Sequence, residues 1–278
     1  MYFYRRINFV RQNIRSIFEM FLAIIRAQLG ERDTFDHICL VHNDLNYLSN
    51  YCNVLNFSVK SFSAGNVSYP FSDYFILFHQ IKDRILTKSL ISKQEYLRKL
   101  ADQFVNSIKE SPYDLDCTTI SDKIYQYLLK IKISAIEILS TDVYHKVMGS
   151  LLCDLFENIY RFIVNMEDIT VHESFRMGTY LPALPEHAFD LMNSLEHNDD
   201  KKDTCFLIPS FKKFILLIKI INSSMPDILS MWENDEDQIR NEISVDDMTH
   251  LLKAIFQNTK HRADTILSIK SHSVFCSC

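Results

Sequence analysis

The stretch Ser244-Val-Asp-Asp-Met-Thr-His-Leu-Leu-Lys-Ala-Ile-Phe-Gln-Asn-Thr-Lys-His-Arg-Ala-Asp-Thr-Ile-Leu-Ser-Ile-Lys270 decides how the fold is read. It reads as one long capped helix. Ser244 stands at the N-cap, Asp247 at the capping-box position and Asp246 beside it in the first turn. Val245, Met248, Leu252, Ile255, Ile266 and Ile269 then fall on one stripe at helical spacing. Gln257-Asn258-Thr259 and Arg262 interrupt the middle of that stripe. A helix that only filled a core would not need polar groups there.

Outward from this segment, the composition carries the same message. The chain has 278 residues, of which only 4 are glycine and 6 proline. Average usage would put roughly 20 glycines in a chain this long. So few glycines leave little scope for sharp turns or a phosphate-binding loop. Helices need glycine least, so the expected class is all-α. The formal net charge of -5 lacks the dense basic surface that broad nucleic-acid binding requires. The seven cysteines are scattered, with no CxxC pair, so neither a zinc site nor a disulfide framework is expected, and reduced thiols in the cytosol fit. Cys276-Ser-Cys278 lacks a prenylation pattern and reads as a tail. Phe214 to Ile221 is the most apolar run, and Lys219 breaks it well short of the roughly 20 residues a membrane span needs.

Earlier segments repeat the helical period. Ile7, Val10, Ile14, Phe18, Phe21, Ile25 and Leu29 predict a helix from Arg5 to Leu29, with Arg5, Arg6, Arg11, Arg15 and Arg26 on other faces. That basic helix fits a bundle element with a solvated face. Two alternatives are a presequence and a membrane-surface helix. Further helices are expected from Thr34 to Lys60, Ser72 to Lys109 with a break near Thr87-Lys-Ser89, Thr118 to Leu139, and Thr141 to Met166. Thr170 and Glu173 have capping-box spacing for a short helix to Leu181, and another runs to Leu195. Pro209 and Pro226 open two more. Gly149, inside a helix, suggests a close helix–helix approach. Two domains are expected, 1–167 and 168–278, with a charged loop near 196–204.

No pattern for a nucleophile with its base, a P-loop or a metalloprotease helix is present. Asp246 and Asp247 point to different faces and suit a helix start. Glu233, Asp235, Glu236 and Asp237 lack calcium-loop spacing and read as a solvated helix end. His42 and Asn43 read as ordinary helix polar groups, and His172, His187 and His197 would share a metal only if the fold converged them. No cofactor is expected. A helical enzyme with an unrecognised site stays open as the alternative class.

Several segments together resemble the zeste-white-ten family of helical tether and kinetochore subunits. The strongest is Leu251-Leu-Lys-Ala-Ile-Phe-Gln-Asn-Thr-Lys-His-Arg-Ala263. Ile17-Phe-Glu-Met-Phe-Leu22, Leu40-Val-His-Asn-Asp-Leu-Asn-Tyr-Leu48, Tyr144-His-Lys-Val-Met-Gly-Ser-Leu-Leu152, Met166-Glu-Asp-Ile169, Ile208-Pro-Ser-Phe-Lys-Lys-Phe214 and the lone Trp232 add to it. The resemblance implies the carboxy-terminal part of an elongated helical-bundle rod of the multisubunit-tether (CATCHR) type. It further implies a non-enzymatic scaffold in two assemblies. One is a Golgi-to-endoplasmic-reticulum tether with Rint-type and Nag-type subunits that engages SNAREs. The other is a kinetochore complex with Rod and Zwilch that recruits dynein–dynactin through an adaptor and supports the spindle checkpoint. The implied location is cytoplasmic, peripheral on the endoplasmic reticulum, and at kinetochore and spindle in mitosis. Docking on a Rod- or Nag-type solenoid subunit is the expected residual function, with Gln257, Asn258, Arg262 and Trp232 as candidate contacts.

Overall fold

The computed structural model describes residues 2–31, 34–62, 70–110, 114–192 and 208–274. Among the described residues there are helices and no strand, as the glycine-poor composition requires. In chain order they are α1 (Tyr2–Glu31), α2 (Phe35–Phe62), α3 (Ser72–Glu110), α4 (Asp114–Ile136), α5 (Thr141–Val164), α6 (Val171–Tyr180), α7 (Ala183–Met192), α8 (Pro209–Ile221), α9 (Met225–Glu233), α10 (Ile239–Glu242), α11 (Val245–Ile255) and α12 (Lys260–Val274). The chain forms two compact units: residues 1–92 with 131–144, and residues 93–130 with 145–278. The division expected between 167 and 168 falls inside the second. The charge run near 196–204 and the Cys276–Cys278 tail lie outside the described residues.

In the first unit α1, α2 and the start of α3 share one core. Phe18, Leu22 and Ile25 of α1 meet Val41, Leu45 and Cys52 of α2 and Phe71, Tyr74 and Phe78 of the α3 end. The Phe18 ring stands nearly perpendicular to Phe71 and Phe78, at 5.9 and 5.5 Å between centroids. Such edge-to-face pairs add about 0.5–1.5 kcal/mol each beyond burial. Polar links fix how the helices are rotated. Arg15 reaches Asp73 at 2.9 Å and Tyr74 donates to Glu19 at 2.7 Å, so this side of α1 faces α3. The Phe71 amide donates to Asn56 at 2.9 Å and Lys82 to Asn46 at 3.1 Å, which turns the corresponding side of α2 toward α3. Val10 and Phe21, expected in the α1 core stripe, are instead exposed. The helix carries a second apolar stripe beside the first, and neither α2 nor α3 covers it.

The expected break in α3 near Thr87 is absent. No glycine, proline or inserted side chain interrupts its hydrogen-bond ladder there, and the helix runs unbroken to Glu110.

The second unit packs around α5. Met148, Leu151, Phe156, Ile159 and Ile163 are fully buried, and Phe156 stacks on Phe214 of α8 at 4.7 Å. A β-carbon at Gly149 would meet Ile208 at 3.9 Å, an ordinary contact, so close approach does not explain that glycine. The glycine that a neighbour does crowd is Gly178 in α6, whose added β-carbon would run into the Asn222 side chain. The α6 capping box forms as its sequence predicts, with Thr170 and Glu173 each satisfying the other's backbone N–H. Pro209 and Pro226 both sit in first turns, as expected.

The long helix read over 244–270 is corrected to two. Its start is right: the Ser244 side chain accepts from the Asp247 amide at 3.0 Å. Phe256 then takes extended angles, φ -107° and ψ 143°, and ends α11 at Ile255. Thr259 accepts from the Arg262 amide at 3.2 Å and restarts the chain as α12. The polar group at 257–259 is therefore a helix junction, not an interruption on a helix face.

Candidate functional site

The junction after α11 is built by Arg262. A helix leaves its last carbonyls without partners. The Arg262 guanidinium reaches back and donates to the carbonyls of Lys253, at 3.0 Å, and Phe256, at 2.6 Å. It thereby caps one helix from the first turn of the next. Gln257 and Asn258 stand exposed on the crest of the turn. Trp232 does not join them: it lies in the core of α9 at 1% exposure. Of the four expected contacts, Gln257 and Asn258 face solvent side by side, Arg262 shapes their turn, and Trp232 is buried in the core.

A backbone bond enlarges this site. The Ile169 amide donates to the Ala254 carbonyl at 2.9 Å and pins the approach to α6 against the last turn of α11. Val171 and Gln257 thus each lie within three residues of that bond. Helix α6 then shows an inverted pattern. Val171 and Phe175, one turn apart, are 89% and 73% exposed, while Arg176 between them and Met177 is 2% exposed. The inward Arg176 donates to the Cys117 sulfur at 3.0 Å, and Ser107 reaches the same sulfur at 3.3 Å. A buried guanidinium is costly unless hydrogen-bonded, so this bonding fixes which way α6 faces. The outward pair follows from it. Sequence reading identified the α6 cap but missed this pair. The available signal was an arginine where a core residue would be expected, next to two isolated apolar residues.

Surrounding contacts hold the site still. Asp247 in the first turn of α11 accepts from the Tyr160 hydroxyl of α5 at 3.0 Å, and Lys213 of α8 sits 3.9 Å above the Tyr160 ring. Burial, then the Asp247 carboxylate, raise the Tyr160 hydroxyl far above its ordinary range, so it stays a donor. Glu236 and Asp237, expected to be merely solvated, are held by Lys219 at 3.5 and 3.1 Å. Arg240 takes the carbonyls of Trp232 and Glu233, at 2.8 and 2.6 Å, and caps α9. The turn between them holds Asp235, Asp237 and Gln238 at positive φ.

The chemistry available is that of contact. No group of three metal-ligating side chains occurs among the described residues. His187 packs on Tyr125 at 4.6 Å, His172 is exposed, and His197 lies outside the described residues. His42 is buried in α2, and Asn43 is exposed. A hollow of about 450 Å³ between α3 and α4 has Asp116 and Lys123 on its wall. Its Ser107 hydroxyl is committed to the Phe104 carbonyl at 2.7 Å and to Cys117.

Comparison with known proteins agrees with this helical frame. Residues 120–269 match the model of the ZW10 C-terminal helical domain. A Caenorhabditis elegans protein named "Centromere/kinetochore protein zw10 homolog" is 25% identical over 197 residues, which covers 70% of this chain and 24% of that protein. The mouse protein of that name is 22% identical over 270 residues, covering 93% of this chain and 34% of its own length. The Arabidopsis thaliana protein so named is 23% identical over 241 residues, 83% of this chain and 32% of its own. The chain thus spans about a quarter to a third of the length of these relatives.

Proposed function

Because the chain belongs to the ZW10 family, we propose that it serves as a non-enzymatic scaffold subunit that docks on a larger helical partner. The observation that carries this reading is the match over 120–269, which takes in α5, α6, α8, α11 and the junction at Arg262. The names of the relatives point to centromere and kinetochore. The assembly proposed there is of Rod–Zwilch type, with dynein–dynactin recruited through an adaptor. The family resemblance supports a second setting, a vesicle tether for Golgi-to-endoplasmic-reticulum traffic with Nag-type and Rint-type subunits, SNAREs engaged through the complex, and only peripheral membrane association.

The mechanism is mechanical. Burying one leucine-sized side chain contributes about 1.5–3 kcal/mol, and α5 alone buries several, so the second unit is a stiff support. Interfaces draw most of their energy from a few anchors ringed by weaker contacts. Phe175 and Val171 supply apolar anchor area, and Gln257 and Asn258, on the other chain segment of the Ile169–Ala254 bond, supply neutral hydrogen-bonding groups. The docking reading for a Rod- or Nag-type solenoid subunit rests on that combination. Arg262→Glu is a poor probe, since it would also release the Lys253 and Phe256 carbonyls. Affinity purification of the tagged chain, with mass spectrometric identification of co-purifying proteins, tests the reading. Recovery of a solenoid subunit of either type is expected. Recovery of neither contradicts it.

A further inference from the structure

The first unit presents an apolar face that its own helices leave open. On α1, Val10, Ile17, Met20, Phe21 and Ile24 recur at helical spacing, and on α2 Leu40, Tyr47, Tyr51 and Val54 do the same. Rotation places the two stripes side by side. Arg15, Glu19 and the Phe18 ring mark the α3 side of α1. Going round the helix away from α3, Ile14 and Ile25 come next, then Phe21 and Ile17. On α2 the α3 side is marked by Asn46 and Asn56. Away from it lie Val41 and Leu48, then Tyr51 and Tyr47. Both stripes therefore flank the α1–α2 seam on one side of the unit. Tyr47 and Tyr51 stack within their stripe at 6.3 Å.

The nine side chains are 40–70% exposed. At about 150–200 Å² for each full residue, they leave roughly 800 Å² uncovered. The largest apolar patch on an ordinary monomer is about 300–600 Å², whereas each side of a standard interface covers about 800 Å². The exposed polar residues on the face are Asn13, Gln28, Asn43 and Asn50, and among the described residues its charged ones are Asp36 and Asp44. Carboxylates there repel an anionic membrane. A face so sparsely charged meets a copy of itself with little like-charge repulsion.

We propose that this face pairs with the same face of a second copy of the chain. Helices α1 and α2 are 30 and 28 residues long and run antiparallel from a short connection. A two-fold rotation lays the α1 stripe of one copy on the α2 stripe of the other and makes a four-helix bundle of two layers, in the isologous geometry most homodimers use. The pairing is independent of the docking site on α6 and of the family reading.

Sedimentation equilibrium of the whole chain reads it out. At about 10 μM, a concentration that populates any interface of micromolar affinity or better, the expected mass is twice the 32.7 kDa chain. The double substitution Phe21→Glu, Tyr47→Glu is expected to give the single-chain mass with an unchanged helical circular dichroism spectrum. Ile76→Glu, exposed on α3 away from the two stripes, is expected to leave the dimer intact. A wild-type chain of single mass overturns the proposal, whether or not it floats with lipid vesicles. So does a dimer that survives the double substitution.

Discussion

The two units spend their apolar residues differently. The first turns a broad apolar face outward along α1 and α2, while the second turns apolar residues inward from most of its helices and, among the described residues, exposes scattered ones, of which the α6 pair and Leu267 stand out most. The periodicity is the same in both. What differs is stripe width against the number of neighbours. Helices α1 and α2 carry apolar residues on two adjacent stripes, and each has two packing partners within its unit. Helix α5 carries as wide a stripe but has α8 and α11 as well as α3 against it, as the Phe156–Phe214, Tyr160–Asp247 and Arg98–Asp154 contacts record. An uncovered stripe is thus a statement about missing neighbours, and each unit has its own.

Paired truncations test that comparison first, and carry the largest effects. Phe18→Ala in the first unit and Trp232→Ala in the second each remove a ring that is at most 2% exposed. Each is expected to cost about 3–5 kcal/mol in urea unfolding. Ile76→Ala and Phe175→Ala are expected to cost under about 1 kcal/mol, because both side chains already face water. Equal losses for Phe18 and Ile76 would mean that the outer side of α3 is covered after all.

A second difference appears on acidification. His42 is buried between α2 and α3. Burial and, after it, the Lys82 ammonium push its pKa down to about 4 from an ordinary 6.5. Between those values the unfolded chain holds a proton that the folded chain refuses. Stability therefore falls as pH drops from 6.5 toward 4. At about 1.36 kcal/mol per pKa unit, the loss approaches 3 kcal/mol. His42→Leu should flatten much of that slope in denaturation curves taken at pH 7, 6, 5 and 4. Burial also lowers the His187 pKa in the second unit, so part of the slope should remain. An unchanged slope in His42→Leu would remove His42 from the account.

The two glycines inside the second unit give the smallest effects, with opposite signs. Gly178→Ala should lower stability by about 1–3 kcal/mol, the usual cost of overpacking, because its methyl group displaces Asn222 from its bond to Ile218. Gly149→Ala should raise stability by up to about 0.8–1.0 kcal/mol, since only Ile208 lies near and at contact distance. Thermal melts of the two single variants settle the signs.

Much of this was legible in the sequence because it is local. The Thr170–Glu173 box, the prolines at 209 and 226 and the Ser244 cap all act within one turn, and all form. What escaped depends on residues distant in sequence or in space. The end of α11 is set by Arg262 reaching back nine positions to Lys253. The facing of α6 is set by a sulfur on α4. The crowding at Gly178 comes from Asn222 just after α8, and the acids after α9 are held by Lys219 on α8. The polarity of Gln257 and Asn258 marks them as exposed, whereas the exposure of Val171 and Phe175 is not written in a ten-residue helix.

The central claim is that the second unit holds a docking surface at α6 and the Arg262 junction. The most direct measurement is the affinity of the whole chain for a Rod- or Nag-type solenoid subunit, taken for wild type, for Val171→Glu with Phe175→Glu, and for Phe21→Glu. The account predicts at least about a tenfold loss, 1.4 kcal/mol, for the α6 variant and wild-type affinity for Phe21→Glu. Equal affinity in all three, or a loss confined to Phe21→Glu, would contradict it.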